Sequence, residues 1–257
     1  MPRVSEPDFL RGTVSRPERR GDRVYRESGP WTDAVHALLR HLHVVGFTGA
    51  PYPIGLDETG HEVLTYIEGQ AAHMPWPRVL RTDAGLRELA SLVRSFHDAS
   101  QGFRPEATAV WRTGARGLVG SEVVIHGDLG PWNVVYRESR PVALIDWDLA
   151  EPGLPIHDLA HLAWTAIPLR TEPVWRAAGF GTEPLFEARL EAIADGYGQY
   201  SREELREGVI DFVARQRLRL PELASQGIEP WRRLVDAGAV QIIEAEFEYV
   251  VDRLNTR

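Results

Sequence analysis

Three side chains that carry oxygen ligands stand at short spacing in the middle of the chain. Asp128 lies in the segment His-Gly-Asp-Leu-Gly-Pro-Trp-Asn, which ends at Asn133, and Asp146 follows thirteen residues later. A carboxylate such as that of Asp128 accepts a hydrogen bond from an attacking hydroxyl. Oxygens such as those of Asn133 and Asp146 bind a hard cation together with substrate phosphates. The pattern therefore predicts magnesium-assisted phosphoryl transfer.

The residues between these side chains predict the element that holds them. Residues 134–136 and 142–145 are short β-prone runs, and the polar segment 137–141 between them is typical of a turn. A hairpin over this stretch would bring Asn133 and Asp146 side by side at its open end. The alternative interpretation is a polar loop between two core strands without chemistry.

The catalytic segment and the acidic strand end resemble those of the aminoglycoside phosphotransferase and choline kinase family, a branch of the protein-kinase-like fold. The order and spacing agree over residues 62 to 165. The resemblance implies that Asp128 is the catalytic base and that Asn133 and Asp146 are the Mg²⁺ ligands. It also implies a structural role for His126, which would pack the loop against the neighbouring core.

Two further aspartates follow the same motif. Asp148 would either assist at the metal or cap the loop before Pro152. Asp158 matches the family's Asp-Leu-Ala segment, where the aspartate braces the active-site loop, and it is equally typical of a helix N-cap. His157 and His161 have the spacing of a zinc pair but lack a third ligand at the usual distance, so we expect a structural role for them.

The resemblance also implies an ATP site. In this family the adenine is hydrogen-bonded to the backbone of the hinge strand, which corresponds here to Thr65, Tyr66 and Ile67. An apolar strand with an aromatic residue is also what an ordinary core contains. Arg26 is the best candidate for the contact with the α- and β-phosphates, because guanidinium binds phosphate oxygens in a bidentate manner.

The N-terminal part departs from the family pattern. The family normally has a lysine at the phosphate contact and a glutamate on the following helix, whereas this chain has no lysine and has Val35 at the glutamate position. We expect Arg26 to be oriented by Glu27, by Asp33 or by the phosphates. The stretch 10–15 would be the phosphate-covering loop, but its single glycine makes it a weak match.

Composition excludes several classes of protein. The net charge of −8 argues against a nucleic-acid-binding surface, and the absence of cysteine excludes disulfides and zinc–cysteine sites. The chain contains no apolar run as long as a membrane span. We therefore expect a cytoplasmic protein with no membrane partner. The sequence does not indicate an oligomeric state.

The pattern of elements predicts an α+β protein with the two lobes of a protein kinase. Residues 1–68 would form a small, atypical nucleotide-binding lobe that contains the β-strands. Residues 69–257 would form a larger, mainly helical lobe for catalysis and acceptor binding, because helical periodicity dominates after Asp158. Glu68, Gly69 and Gln70 fit a hinge between them.

The expected function is ATP- and Mg²⁺-dependent transfer of the γ-phosphate to a hydroxyl of a small molecule. Residues 171–257 contain 16 acidic residues and 11 arginines, an excess that suits a cationic, aminoglycoside-like acceptor or forms a solvated surface. A second hypothesis is a catalytically weak, kinase-like protein that gives immunity or resistance by sequestration. The departures around Arg26 motivate this alternative.

Overall fold

The computed structural model describes residues 17–255 and has a small β-sheet lobe followed by a larger, mainly helical lobe. The first lobe is built on an antiparallel sheet in the order β1-β2-β4-β3. Its strands are β1 (Glu18–Arg20), β2 (Arg23–Arg26), β3 (Pro53–Leu56) and β4 (Glu62–Thr65). The two-lobed fold predicted from the sequence is therefore confirmed. The predicted phosphate-covering loop, residues 10–15, lies outside the described residues.

Helix α1 (Thr32–Val44) packs against this sheet and closes the first lobe. Apolar residues recur along it at helical spacing, so that Val35, Leu38 and Leu42 are almost completely buried. Burying each such side chain contributes roughly 1.5–3 kcal/mol relative to leaving it exposed. The helix ends where Gly46 adopts a positive φ of 87°.

The hairpin predicted around the catalytic residues is present. Strand β7 (Val134–Arg137) pairs antiparallel with β8 (Arg140–Leu144), and Glu138 and Ser139 turn the chain with positive φ angles of 50° and 64°. The Ile145 amide donates to the Asn133 carbonyl at 2.9 Å, which extends the pairing to the open end of the hairpin. Strand β5 (Gln70–Ala71) adds to β7 just after the hinge.

Helices supply the core of the second lobe. Helix α2 (Asp83–Ser100) begins at Thr82, whose hydroxyl accepts the Gly85 amide at 3.1 Å, and it buries its apolar face against α5. A short ladder of β6 (Val123–Ile125) and β9 (Glu151–Gly153) precedes α3. The remaining helices are α3 (Pro155–Ala166), α4 (Glu172–Ala177), α5 (Phe186–Tyr197), α6 (Arg202–Ser225), α7 (Trp231–Asp236) and α8 (Ala239–Asn255). None of the helices in the described range is long and apolar enough to cross a bilayer.

Candidate active site

A cavity of about 790 Å³ lies between the lobes and brings most of the predicted site residues together. The first lobe contributes Arg26 and the hinge residues Thr65, Tyr66 and Ile67 to its wall, and the catalytic hairpin contributes both predicted metal ligands, Asn133 and Asp146. A cavity of this size is in the range that proteins use for small ligands and cofactors. These residues, predicted from the sequence, therefore line the same cavity.

Asp128 is held next to Asn133, which lines this cavity. The Asn133 side-chain amide donates to the Asp128 backbone carbonyl at 2.8 Å and to its carboxylate Oδ2 at 2.9 Å. The indole Nε1 of Trp132 lies 3.4 Å from the same oxygen. These contacts position the carboxylate, and because the Asn133 nitrogen is occupied, the amide oxygen is the atom left for a cation.

Burial and the nearby charge of Asp146 raise the pKa of Asp128 to about 7, against the hydrogen bonds from Trp132 and Asn133, which lower it. A carboxyl group with such a pKa exchanges a proton near neutral pH, which suits a general base. In this respect Asp128 has the electrostatic setting that its predicted role needs.

A buried hydrogen-bond network holds the loop that presents Asp128. Both carboxylate oxygens of Asp158 accept backbone amides, from His126 at 2.7 Å and from Gly127 at 2.9 Å. His97 donates through Nε2 to Asp158 at 3.1 Å, and its Nδ1 lies 2.9 Å from the Tyr197 hydroxyl oxygen. Burial would raise the pKa of Asp158, but the hydrogen bond and charge of His97 hold it below its ordinary value.

Asp158 lies in the first turn of α3, whose N-cap position is Leu154, so the N-cap interpretation of Asp158 is wrong. His126 is buried and donates through Nε2 to the Ile145 carbonyl at 3.0 Å, while its ring packs on Trp147 at a centroid distance of 4.7 Å. Gly127 is required here, because at φ 78° a Cβ would lie 2.0 Å from the Leu149 carbonyl oxygen.

Asp146 adopts a left-handed conformation, with φ 63° and ψ 69°. This conformation is costly for a residue with a side chain and tends to persist where function requires it. Its carboxylate Oδ1 accepts Arg26 Nη1 at 2.9 Å. The predicted metal ligand is thus ion-paired with the predicted phosphate-binding residue.

The expectation that Glu27 or Asp33 orients Arg26 is wrong, because both side chains are exposed. Arg26 is instead paired with Glu62, which stands directly opposite it in the β2–β4 register. His36 Nε2 contacts the second oxygen of Glu62 at 2.8 Å. Although burial opposes the charge, Asp148, Asp146 and Glu62 raise the pKa of Arg26 above its ordinary value.

Asp148 joins two arginines rather than capping the loop before Pro152. One carboxylate oxygen accepts Arg26, and the other accepts Arg112 Nη1 at 3.1 Å. Arg112 also donates to the Glu229 carbonyl at 3.1 Å and stacks over the Trp31 ring at 4.3 Å. Burial raises the pKa of Asp148 to about 6 despite the two arginines.

The hinge residues differ in how their backbone is used. The Thr65 amide donates to the Tyr52 carbonyl at 2.9 Å, and the Tyr66 amide donates to the Asp22 carbonyl at 2.7 Å. Both amides are therefore engaged in the fold. Tyr66 instead offers its ring, over which the Arg19 guanidinium stacks at 3.6 Å. Of the three hinge residues, Ile67 is therefore the one whose backbone amide is the candidate hydrogen-bond donor to a nucleotide base.

The donor set fits a magnesium ion bound with a nucleotide. An amide oxygen from Asn133 and a carboxylate from Asp146 are hard ligands on the cavity wall. Within residues 17–255 no three His, Asp or Glu side chains converge to hold an ion by themselves. Such an ion would therefore complete its coordination with phosphate oxygens and water, as Mg²⁺ commonly does.

Sequence reasoning missed Glu62, His36, His97 and Arg112. Glu62 and His36 lie far apart in sequence and meet only because β4 pairs with β2 beside α1. The position of His36, next to the missing glutamate at Val35, was the one signal available.

Comparison with known proteins agrees with this geometry. The model of the phosphotransferase enzyme family matches residues 26–207. The trifolitoxin immunity protein of Rhizobium leguminosarum bv. trifolii is 37% identical to this chain over 198 residues, which cover 75% of this chain and 73% of that protein.

Two solved structures illustrate the fold. Amicoumacin kinase hAmiN, in complex with AMP-PNP, Ca²⁺ and Ami, matches with a TM-score of 0.60 at 12% identity, over 93% of this chain and 88% of that one. Macrolide 2'-phosphotransferase MphH from Brachybacterium faecium matches with a TM-score of 0.53 at 18% identity, over 96% and 93% of the two chains. With the family model matching most of its length, the chain belongs to the phosphotransferase enzyme family.

Proposed function

We propose that this protein transfers the terminal phosphoryl group of a nucleoside triphosphate to a hydroxyl of a small molecule. One observation carries the proposal. Asn133 and Asp146 line one cavity together with Arg26 and the hinge segment 65–67, and the Asn133 side chain donates a hydrogen bond to the Asp128 carboxylate. Phosphoryl transfer requires a base, oxygen ligands for a metal ion and a positive charge near the phosphates, and these residues provide all three.

In this proposal Asp128 acts directly on the acceptor. Its carboxylate accepts the hydrogen bond of the acceptor hydroxyl, orients the oxygen toward the terminal phosphorus and takes the proton as the new P–O bond forms. The bond to the leaving nucleoside diphosphate breaks in the same step, so no covalent intermediate on the protein is needed. Trp132 and Asn133 fix the carboxylate, and Asp158 fixes the loop that presents it.

Asn133 and Asp146 are the residues that would hold Mg²⁺, which when bound neutralises charge on the terminal phosphates. Arg26 would contribute a second positive charge from the first lobe. The Arg26 guanidinium contacts Asp146 at 2.9 Å. Phosphates bound to Arg26 would therefore lie next to the proposed metal site. Glu62 and His36 would orient Arg26 in place of the glutamate that α1 lacks at Val35.

The nucleotide base would lie between two apolar walls of the cavity. Val24 and Leu64 line it from the first lobe, and Val135 and Ile145 line it from the hairpin. The Ile67 amide is the proposed hydrogen-bond donor to the base. We place the boundary between the nucleotide-binding and acceptor-binding lobes after residue 68, so that residues 1–68 and 69–257 form the two units.

The relative at 37% identity is called an immunity protein. By analogy, the acceptor of this chain would be a toxin or antibiotic that loses its activity when phosphorylated. The direct test is to incubate the purified chain with Mg-ATP or Mg-GTP and a panel of hydroxylated antibiotics. Mass spectrometry should detect a phosphorylated product, and Asp128→Asn should abolish it. Absence of any product, together with absence of nucleotide binding, would refute the proposal.

A second candidate function is protection by sequestration, in which the chain binds a toxin without modifying it. The observation that favours it is that Arg26 already neutralises Asp146, the predicted metal ligand. An immunity assay separates the two functions. Cells that carry Asp128→Asn should lose protection if phosphoryl transfer is responsible, whereas protection that survives this substitution would favour sequestration.

A further inference from the structure

Carboxylates surround the guanidinium of Arg26 on three sides. Glu62, Asp146 and Asp148 each accept a hydrogen bond from a different nitrogen of this group. A cation held by so much negative charge attracts phosphates weakly, because the carboxylates repel the same anions. The charge of Asp146 would be offset by a bound Mg²⁺, whereas the charge of Asp148 needs another cation.

Arg112 is the cation that lies against Asp148. Its Nη1 donates to Asp148 Oδ2 at 3.1 Å, while the other oxygen of the same carboxylate accepts Arg26. The side chains of Arg112 and Asp148 are only 9% and 10% exposed, so solvent ions screen their interaction little. Because one carboxylate is shared by two arginines, Arg112 leaves more of the Arg26 charge for a phosphate.

Arg112 is itself fixed from both lobes. Its Nη2 donates to the Glu229 carbonyl at 3.1 Å, in the connection between α6 and α7. Its guanidinium lies 4.3 Å from the ring centroid of Trp31, directly before α1 in the first lobe. A planar guanidinium makes these contacts and the pair with Asp148 at the same time. Arg112 is not among the described residues that line the cavity, so it would act on a bound phosphate only through its neighbours.

We propose that Arg112 is a positioning residue of the phosphate site. It occupies and neutralises Asp148, and it thereby keeps Arg26 available to the phosphates of a nucleotide. This role rests on the proposed phosphotransferase function and adds to it a residue that the sequence pattern did not indicate. Since Arg112 acts through Asp148, its loss should weaken nucleotide binding only as long as residue 148 carries a negative charge.

The test is a cycle of variants whose nucleotide affinity is measured by isothermal titration with Mg-AMP-PNP. Arg112→Gln should weaken binding roughly tenfold, because it leaves an uncompensated, buried carboxylate beside the phosphate site. Adding Asp148→Asn removes that charge, so the double variant should recover most of the lost affinity. A merely structural role for Arg112 would not give this recovery, because the second substitution disturbs the same buried network further.

Arg219→Gln is the matched control. Arg219 donates to the buried carboxylate of Glu151 at 2.6 Å, so this substitution also breaks an arginine–carboxylate pair of the second lobe. None of the contacts described for this pair involves Arg26 or Asp148. The affinity of Arg219→Gln for Mg-AMP-PNP should therefore equal that of the unmodified chain.

Asp148→Asn alone provides a measurement that does not depend on how Arg112→Gln folds. It removes a negative charge next to Arg26 and leaves the guanidinium with Glu62 and Asp146, so it should bind Mg-AMP-PNP at least as tightly as the unmodified chain. Weaker binding by this variant would overturn the role of Arg112. The same holds for equal affinities of Arg112→Gln and the control, or for a double variant that binds no better than Arg112→Gln.

A turnover assay on the same proteins separates this inference from the proposed function. If the affinities follow the expected pattern but the unmodified chain forms no product with Mg-ATP, phosphoryl transfer fails and the role of Arg112 in nucleotide binding stands. If product forms and Arg112→Gln binds the nucleotide as tightly as the unmodified chain, phosphoryl transfer stands and the role of Arg112 fails. An unmodified chain that binds no Mg-AMP-PNP would overturn both.

Discussion

Arg26 and Glu62 face each other across strands β2 and β4, and their buried side chains form an ion pair inside the first lobe. In the proposed nucleotide site, this pair would take the place of the lysine and helical glutamate that the resemblance to the family implies. His36, one residue after the position that lacks the glutamate, reaches Glu62 instead. The acidic partner of Arg26 thus lies on the neighbouring strand β4 and not on helix α1, and Arg26 lines the cavity.

Glu62→Gln should weaken nucleotide binding and destabilise the fold. The substitution leaves Arg26 with Asp146 and Asp148, so the guanidinium would be drawn toward the metal site and away from the phosphates. Losing a buried charged partner should lower the free energy of unfolding by about 1–3 kcal/mol. Urea denaturation measures this change, and a thermal-shift titration with Mg-ATP measures the loss of affinity.

The exposed Arg20–Glu18 pair in the same sheet provides the control for this prediction. Glu18→Gln removes the same charge from the surface, where ion pairs contribute little to stability. Its nucleotide affinity should equal that of the unmodified chain. Equal behaviour of the two variants would show that Glu62 does not orient Arg26.

The catalytic hairpin could be predicted from sequence because its information is local. Two β-prone runs and a polar turn decide the pairing of β7 with β8, and this pairing by itself brings Asn133 beside Asp146. The same holds for α1 and α2, whose apolar residues recur at helical spacing. Local pattern and observed structure therefore agree for this hairpin and for these two helices.

The ion network around Arg26 could not be predicted because it depends on contacts between distant segments. Arg26 and Asp148 are separated by 122 positions, and Arg112 reaches Asp148 from a loop with no regular pattern. Only the folded arrangement of the two lobes brings these charges together. Residue types alone suggested the neighbours Glu27 and Asp33, which the fold leaves exposed.

Gly127→Ala should disrupt the catalytic loop. The new methyl group would lie 2.0 Å from the Leu149 carbonyl oxygen, and the residue has a positive φ of 78°. Gly60→Ala is the control, because Gly60 has a similar φ of 86° but no atom within 4 Å of the new methyl group. The control should cost about 1–2 kcal/mol in free energy of unfolding from backbone conformation alone.

Gly127→Ala should lower the free energy of unfolding by clearly more than this control. It should also eliminate phosphoryl transfer, because Asp128 would shift away from its contacts with Asn133 and Trp132. Urea denaturation and a product assay measure the two effects. A Gly127→Ala protein that is as stable and active as the Gly60→Ala control would contradict the assignment of this loop.

His161→Phe should flatten the acid dependence of stability. Burial lowers the pKa of His161 from 6.5 to about 4, and its Nδ1 has no partner in the described residues. Between these pH values the unfolded chain binds a proton that the folded chain does not. The free energy of unfolding should therefore fall as the pH drops from 6.5 to 4, by about 3 kcal/mol in total from this group.

Phenylalanine keeps the stacking on Phe212, where the rings lie 4.8 Å apart, and it cannot be protonated. The variant should match the unmodified chain at pH 7.5 and be more stable at pH 4.5. Urea denaturation at a series of pH values gives both curves. Parallel curves for the two proteins would show that His161 does not contribute to acid sensitivity.

Asp128→Asn should abolish turnover without loss of nucleotide binding. The amide keeps the size of the carboxylate but cannot take the proton of the acceptor hydroxyl, so kcat should fall by roughly 10²–10⁴-fold. Asp146→Asn should also lower the affinity for Mg-ATP, because Asp146 lines the cavity as a proposed metal ligand whereas Asp128 is the proposed base for the acceptor hydroxyl. Calorimetric titration with Mg-AMP-PNP and a turnover assay should therefore distinguish the two variants. If both lose nucleotide affinity equally, the separate roles assigned to the base and the metal ligand are wrong.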